Sequence, residues 1–177
     1  MAALKWWLLG GGVALIAFGG KEVVNLKDAS DNEKKYAPII ADAEKKNGIP
    51  AGLLHRLIKQ ESHFRTEIIT GELPSPVGAL GIAQFMPATA KDEGVNPRDP
   101  VASIYAAAKY LVKQYKLTKS WEKAVASYNW GAGHVLLAVK QSPANWFAAV
   151  WPAGYKFAGK PMVPKETKDY VAKILMA

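Results

Sequence analysis

Cysteine is absent from the 177 residues, so the chain has neither a disulfide framework nor a thiolate zinc site. Histidine is scarce as well: His55, His63 and His134 stand at no metal-ligand spacing, and neither a metal nor any other cofactor is expected. There is no arginine-rich run, no glycine-rich phosphate loop, no internal repeat and no low-complexity tract. These absences weigh against a nucleotide site and a repeat architecture, and they leave stability to side-chain packing. The material for packing is present. Half of the residues are apolar and 21% are charged, a balance that supports one well-buried core but hardly two. The net charge of +8, from 23 Lys+Arg against 15 Asp+Glu, suits an anionic partner. Because the lysines are spread over several segments, the charge reads first as a solvated basic surface, and no nucleic acid is expected as a partner.

The longest uncharged run, WWLLGGGVALIAFGG at residues 6–20, is bracketed by Lys5 and Lys21, as an apolar segment is when its ends must stay in water. With residues 1–4 it approaches the roughly 20 residues that span a bilayer, and Trp6 and Trp7 suit the headgroup interface. Two alternatives stand open. A transmembrane anchor over residues 1–20 is favoured, and a cleavable signal peptide, with Ala17 and Gly19 at the cleavage site, is its rival. A buried core helix is disfavoured by Gly10, Gly11 and Gly12. Residues 21–30 are polar and read as a tether, and residues 31–177 as a single domain.

From about Asp31 the spacing predicts helices. Tyr36, Ile39, Ile40 and Ala43 recur every three or four residues, Gly48 follows as a stop, and Pro50 is expected to open the next helix, which carries Leu53, Leu54, Leu57 and Ile58. Similar stripes follow Pro100 (Ile104, Ala108, Leu111, Tyr115) and Ser120 (Trp121, Val125, Tyr128). Short helices are expected after Pro87 and Pro143, and a last one from Pro164 to about Leu175. The exception is the stretch from His63 to Leu80, where Ile68, Ile69 and Thr70 precede Gly71, Pro74, Pro76 and Gly78; a small hairpin or irregular flap is expected there.

Glu61 lies four residues after Leu57 and three after Ile58, so it continues an apolar stripe. Burial disfavours a charged carboxylate and raises its pKa, which makes a glutamate a proton donor near neutral pH. On periodicity alone a helix-terminal glutamate that is solvated or paired with a lysine is the better reading, because most helical glutamates are solvated. Four ordered blocks overturn it. Glu61-Ser62 closes the helix PAGLLHRLIKQES; SPVG at residues 75–78 continues into GIAQFMP at residues 81–87; Tyr128-Asn129-Trp130-Gly131 comes third; and Glu166-Thr167 with Tyr170-Val171 comes last. Together they resemble the soluble-type lytic transglycosylases over about 130 residues, in the order that family has them.

That resemblance implies a mostly α, lysozyme-like helical domain with a small irregular or β flap, here added to the N-terminal transmembrane helix. It implies that Glu61 is the catalytic acid and base. Gln84 and Asn129, each with an amide donor and acceptor, would hold the N-acetyl and hydroxyl groups of the sugars. Tyr128 would wall the site, Ser75 would orient Glu61 or the substrate, and Met86 would pack on a sugar face. Glu166 and Tyr170, one helical turn apart, would either close over the substrate or form a structural pair. Three departures from the family pattern stand out: Trp130 replaces an alanine, as a stacking platform or as core filling; Ala83 is small; and the segment between Glu61 and Ser75 is longer, so residues 65–73 align poorly.

The implied substrate is the β-1,4 glycan of peptidoglycan. Glycosidases usually need two carboxylates, whereas in this family one glutamate protonates the leaving oxygen and then deprotonates the muramic 6-hydroxyl, leaving a 1,6-anhydro end. The alternatives are a lysozyme on the same fold, with Asp92 or Asp99 positioning water, and a non-catalytic wall-binding module of a virion or secretion machine. The expected location is a membrane, with the catalytic domain facing peptidoglycan, in a bacterial envelope or a virion; membership of a larger assembly there is open.

Overall fold

The computed structural model describes residues 26–73 and 75–176. The expected membrane segment at residues 1–20 lies outside them, and among the described residues no helix is long and apolar enough to cross a membrane. These residues are mostly helical: α1 (Leu26–Asn47), α2 (Leu53–Ser62), α3 (Thr66–Thr70), α4 (Pro87–Asp92), α5 (Pro100–Thr118), α6 (Trp121–Trp130), α7 (Ala132–Gln141), a single 3-10 turn (Trp146–Ala148) and α8 (Lys165–Leu175). Extended pairing among them is limited to isolated bridges, Leu80 with Phe85, Val150 with Pro161 and Trp151 with Ala158. The chain divides into two compact units, one ending at Tyr110 and one beginning at Leu111.

In the first unit α1 is described from Leu26, and residues 26–30, within the tether expected over 21–30, are helical. Their polar composition includes good helix formers. Tyr36, Ile40 and Ala43 are buried as the spacing predicts, with Ile39 at the edge of the stripe. Gly48, at φ 65°, ends the helix, and Ile49 N–H returns to Glu44 O at 3.0 Å.

Helix α2 begins at Leu53, three residues later than the proline suggested, because Pro50 heads a turn in which Leu53 N–H donates to Pro50 O at 3.0 Å. The helix has no capping side chain of its own. Instead Glu44, only 6% exposed, takes backbone N–H groups of Gly52 (2.8 Å), Leu54 (2.8 Å) and His55 (3.2 Å) on its carboxylate. Those are donors that a helix start leaves without partners, and a carboxylate there also meets the dipole favourably. Glu33 of α1 ties the same helix by ion-pairing with Lys59 at 2.9 Å.

The stretch expected as a hairpin or flap is part helix. Ile68 and Ile69 lie in α3, where Ile69 is buried, and tertiary contacts override their strand preference. After it the described residues are irregular, and Leu80 and Phe85 exchange both backbone hydrogen bonds, at 2.9 and 3.0 Å.

In the second unit α6, α7 and α8 pack around Ala124, Val125, Val135, Ala138, Val171 and Ile174, all buried. Ser120 caps α6 by accepting from Lys123 N–H at 3.4 Å, and Trp121 stacks on Tyr115 with centroids 4.2 Å apart. The helix expected after Pro143 is the single 3-10 turn Trp146–Ala148, and α8 begins directly after Pro164.

Candidate active site

Glu61 is the penultimate residue of α2 and is partly buried, next to Ser62, which is fully buried. Beyond Ser62 the chain makes an unusual turn. His63 and Phe64 both have positive φ, 50° and 55°, a conformation that costs side-chain-bearing residues about 1 kcal/mol or more each. Two side chains hold it. The Ser62 hydroxyl donates to Ile58 O and accepts from Phe64 N–H, both at 3.2 Å, while Asn32 of α1 donates to Phe64 O and Thr66 Oγ1, both at 2.9 Å. Phe64 is thereby driven into the core, fully buried, with its ring 5.5 Å from that of His55. The serine of the Glu-Ser pair thus fixes the chain beyond Glu61, and the glutamate is held at the end of a helix anchored at both ends.

Ser75 is partly buried, and its carbonyl and hydroxyl accept from Gly78 N–H (3.0 Å) and Val77 N–H (3.4 Å). Gln84 sits at φ 47° in the Leu80–Phe85 loop, where its Nε2 donates to Gly81 O at 2.8 Å. Gly81 is indispensable: it has φ 72°, and a Cβ there would lie 1.8 Å from Pro97 O. The neighbouring Ala83 is fully buried. Met86, just before α4, is 42% exposed, a large apolar surface left in solvent. Asp92 and Asp99 are exposed, and Asp99 caps α5 by accepting from Ala102 N–H at 3.0 Å.

In the second unit the last turn of α6 carries Tyr128, Asn129 and Trp130, all partly buried. The Asn129 Oδ1 accepts from Thr167 Oγ1 at 2.9 Å, and Asn129 lies beside the carboxylate of Glu166. Burial raises the Glu166 carboxyl above the usual glutamate range, and Asn129 works against that rise. The structure therefore brings together Asn129 and Glu166, from two separate sequence blocks, with Thr167 beside them. Tyr170, one turn further, is only 7% exposed and packs with the buried face of α8. Trp130 stacks on His134, centroids 4.9 Å apart, and the His134 Nδ1 donates to Trp130 O at 2.9 Å. Among the described residues no group of three or more histidines, aspartates and glutamates is placed to hold a metal ion.

Residues 38–149 match the Transglycosylase SLT domain family. The chain belongs to that family. Membrane-bound lytic murein transglycosylase D of Escherichia coli K12 is 32% identical over 158 residues, which cover 85% of this chain and 32% of that protein. Membrane-bound lytic murein transglycosylase F 2 of Alkalilimnicola ehrlichii is 36% identical over 110 residues, 58% of this chain and 23% of that protein. The chain thus spans a third or less of the length of these relatives. Among solved structures, the 70 kDa soluble lytic transglycosylase of Escherichia coli superposes with TM-score 0.61 at 25% identity, over 79% of this chain and 23% of that one. An inactive mutant of lytic transglycosylase Slt from Pseudomonas aeruginosa gives TM-score 0.61 at 22% identity, covering 79% and 22%. The mostly helical fold is that of the SLT family.

Two supporting residues belong to none of the four motif blocks. Glu44 leaves a trace in sequence, a carboxylate one position after Ala43 on the buried stripe of α1, eight residues before the Gly52 turn. Asn32 leaves none, since an asparagine near the start of a helix has many ordinary uses.

Proposed function

We propose that this chain is a peptidoglycan lytic transglycosylase that cleaves the β-1,4 bond between N-acetylmuramic acid and N-acetylglucosamine, leaving 1,6-anhydromuramic ends. The observation that carries the proposal is the Glu61-Ser62 end of α2 in a chain of the SLT family: a partly buried glutamate directly before a turn fixed by Ser62 and Asn32. Glu61 protonates the glycosidic oxygen as the bond breaks, and the substrate's own N-acetyl group stabilises the cationic carbon. The Glu61 carboxylate then takes the proton of the 6-hydroxyl as that oxygen attacks. Proton and bond are conserved, and no water is consumed. Fixing the carboxyl beforehand is what makes one residue sufficient, because orientation supplies much of the barrier reduction in an internal attack.

Gln84, Met86, Tyr128, Asn129 and Trp130 bind the glycan, with Ser75, Glu166 and Tyr170 as supporting residues. The Thr167 hydroxyl bonded to Asn129 Oδ1 supports this role of Asn129, since it orients the amide that would meet an N-acetyl group. Residues 1–20 hold the enzyme at a membrane, with residues 31–177 as its catalytic domain facing the wall; the relatives named membrane-bound support this placement. Turnover of purified sacculi tests the proposal. The parent clears the suspension, and Glu61→Gln, equally folded, does not; clearance by the variant at the parent's rate contradicts it.

A further inference from the structure

The loop between the 3-10 turn and α8 lies beyond the matched family region, which ends at residue 149. It is firmly built. Trp151 N–H donates to Lys160 O at 2.9 Å, Met162 N–H to Ala149 O at 2.8 Å, and Lys160 N–H to Phe157 O at 3.0 Å. Such a loop has the means to bury its apolar side chains, yet Tyr155 is 51% and Phe157 48% exposed. Both rings lie against Trp151, at 5.4 and 5.9 Å between centroids. Trp151 meets His134 edge-on at 6.4 Å, and His134 stacks on Trp130. The result is an unbroken row of rings running from the residue after Asn129 out to the loop tip.

The charge of this region is one-sided. Residues 131–165 contain no aspartate or glutamate and carry four lysines, of which Lys156 and Lys160 are on the loop itself. Resting on the transglycosylase reading, we propose that the row of Trp130, His134, Trp151, Tyr155 and Phe157 is a glycan-binding subsite that takes further sugars of the peptidoglycan strand next to those held at Asn129. Pyranose rings offer flat C–H faces to aromatic faces, and the stem-peptide carboxylates of the strand meet Lys156 and Lys160. A fixed row of rings loses little entropy on binding. A lipid surface is the competing occupant for exposed aromatics beside lysines. Continuity favours the glycan: a loop that enters a bilayer needs only its tip, whereas this row is tied through His134, its ring fixed by the bond to Trp130 O, to the end of α6 that carries Asn129.

The test uses the full chain in detergent micelles, carrying Glu61→Gln so that glycan is not consumed, with and without Tyr155→Ala and Phe157→Ala together. Both rings are half exposed, so the fold should survive their loss. Isolated glycan strands are titrated as long chains and as tetrasaccharides. The expected result is a loss of about tenfold in affinity for long strands, with less than about twofold change for tetrasaccharides. Equal loss at both lengths, or none at either, overturns the subsite. Amide exchange over residues 150–161 distinguishes the occupants: slowing by long strands in micelles supports the glycan, and slowing by phosphatidylglycerol vesicles alone overturns it in favour of lipid. If the Glu61→Gln chain binds neither strand length, the transglycosylase reading itself falls, an outcome separate from the loop's failure.

Discussion

The Glu44 carboxylate accepts from the Leu54 N–H at 2.8 Å, so a residue of α1 caps the helix that ends in Glu61. The bond is buried and shared with Gly52 and His55. Removing the carboxylate leaves three backbone donors at the start of α2 without their acceptor. Glu44→Ala should therefore lower unfolding free energy by about 3 kcal/mol, as charge-assisted buried bonds do. Glu33→Ala, which deletes the half-exposed pair with Lys59, should cost only about 0.5 kcal/mol. Urea denaturation of both variants checks this, and equal losses would mean that Glu44 is not the cap.

Gly81 and Gly78 offer a matched comparison. Both have positive φ, 72° and 84°, but a Cβ at Gly81 meets Pro97 O at 1.8 Å and one at Gly78 meets nothing within 4 Å. Gly78→Ala should cost about 1 kcal/mol, the penalty of the left-handed conformation alone, and Gly81→Ala about 3 kcal/mol or more. Because Gln84 donates to Gly81 O, the Gly81 variant should also lose turnover of sacculi in its folded fraction. Melting curves and activity per folded molecule provide the readout.

Four helices were legible because their apolar residues repeat: the stripes of α1, α2, α5 and α6 are where the spacing of Tyr36, Leu57, Ile104 and Val125 put them, and α8 follows Pro164 as expected. Helix α7 was not foreseen, since Gly133 and His134 interrupt its pattern and its buried face is only Val135 and Ala138. Nor was α3, whose Ile68-Ile69 pair has strand preference while Asn32 and Arg65 hold its first turn as helix. The candidate site was legible as motifs, and their supports were not. Asn32 reaches Phe64 across 32 positions and Asn129 meets Thr167 across 38, and no local pattern reports a partner on another helix. The aromatic loop was equally hidden, because only the fold sets Trp151 against His134.

Glu166 gives a pH dependence of definite sign. Burial raises its folded pKa, so between the ordinary glutamate value of about 4.3 and the folded value the native state keeps a proton that the unfolded chain has released. This contribution to stability is full below that window and is lost as pH rises through it. Glu166→Gln, neutral at every pH, should remove the loss. The stability difference, variant minus parent, should increase with pH from the ordinary glutamate range upward and then level off. Chemical denaturation over that range measures it; a difference that decreases with pH contradicts the raised pKa.

Product chemistry tests the central claim most directly. If Glu61 alone serves as acid and base, no other carboxylate activates water, and Asp99 is already engaged in capping α5. Sacculi digested by the full chain and analysed by mass spectrometry should yield muropeptides ending in 1,6-anhydromuramic acid, with no matching rise in reducing ends. Asp92→Asn and Asp99→Asn should leave the product unchanged, and Glu61→Gln should give none. Muropeptides that all carry an added water would contradict the transglycosylase account and make the chain a hydrolase on the same fold.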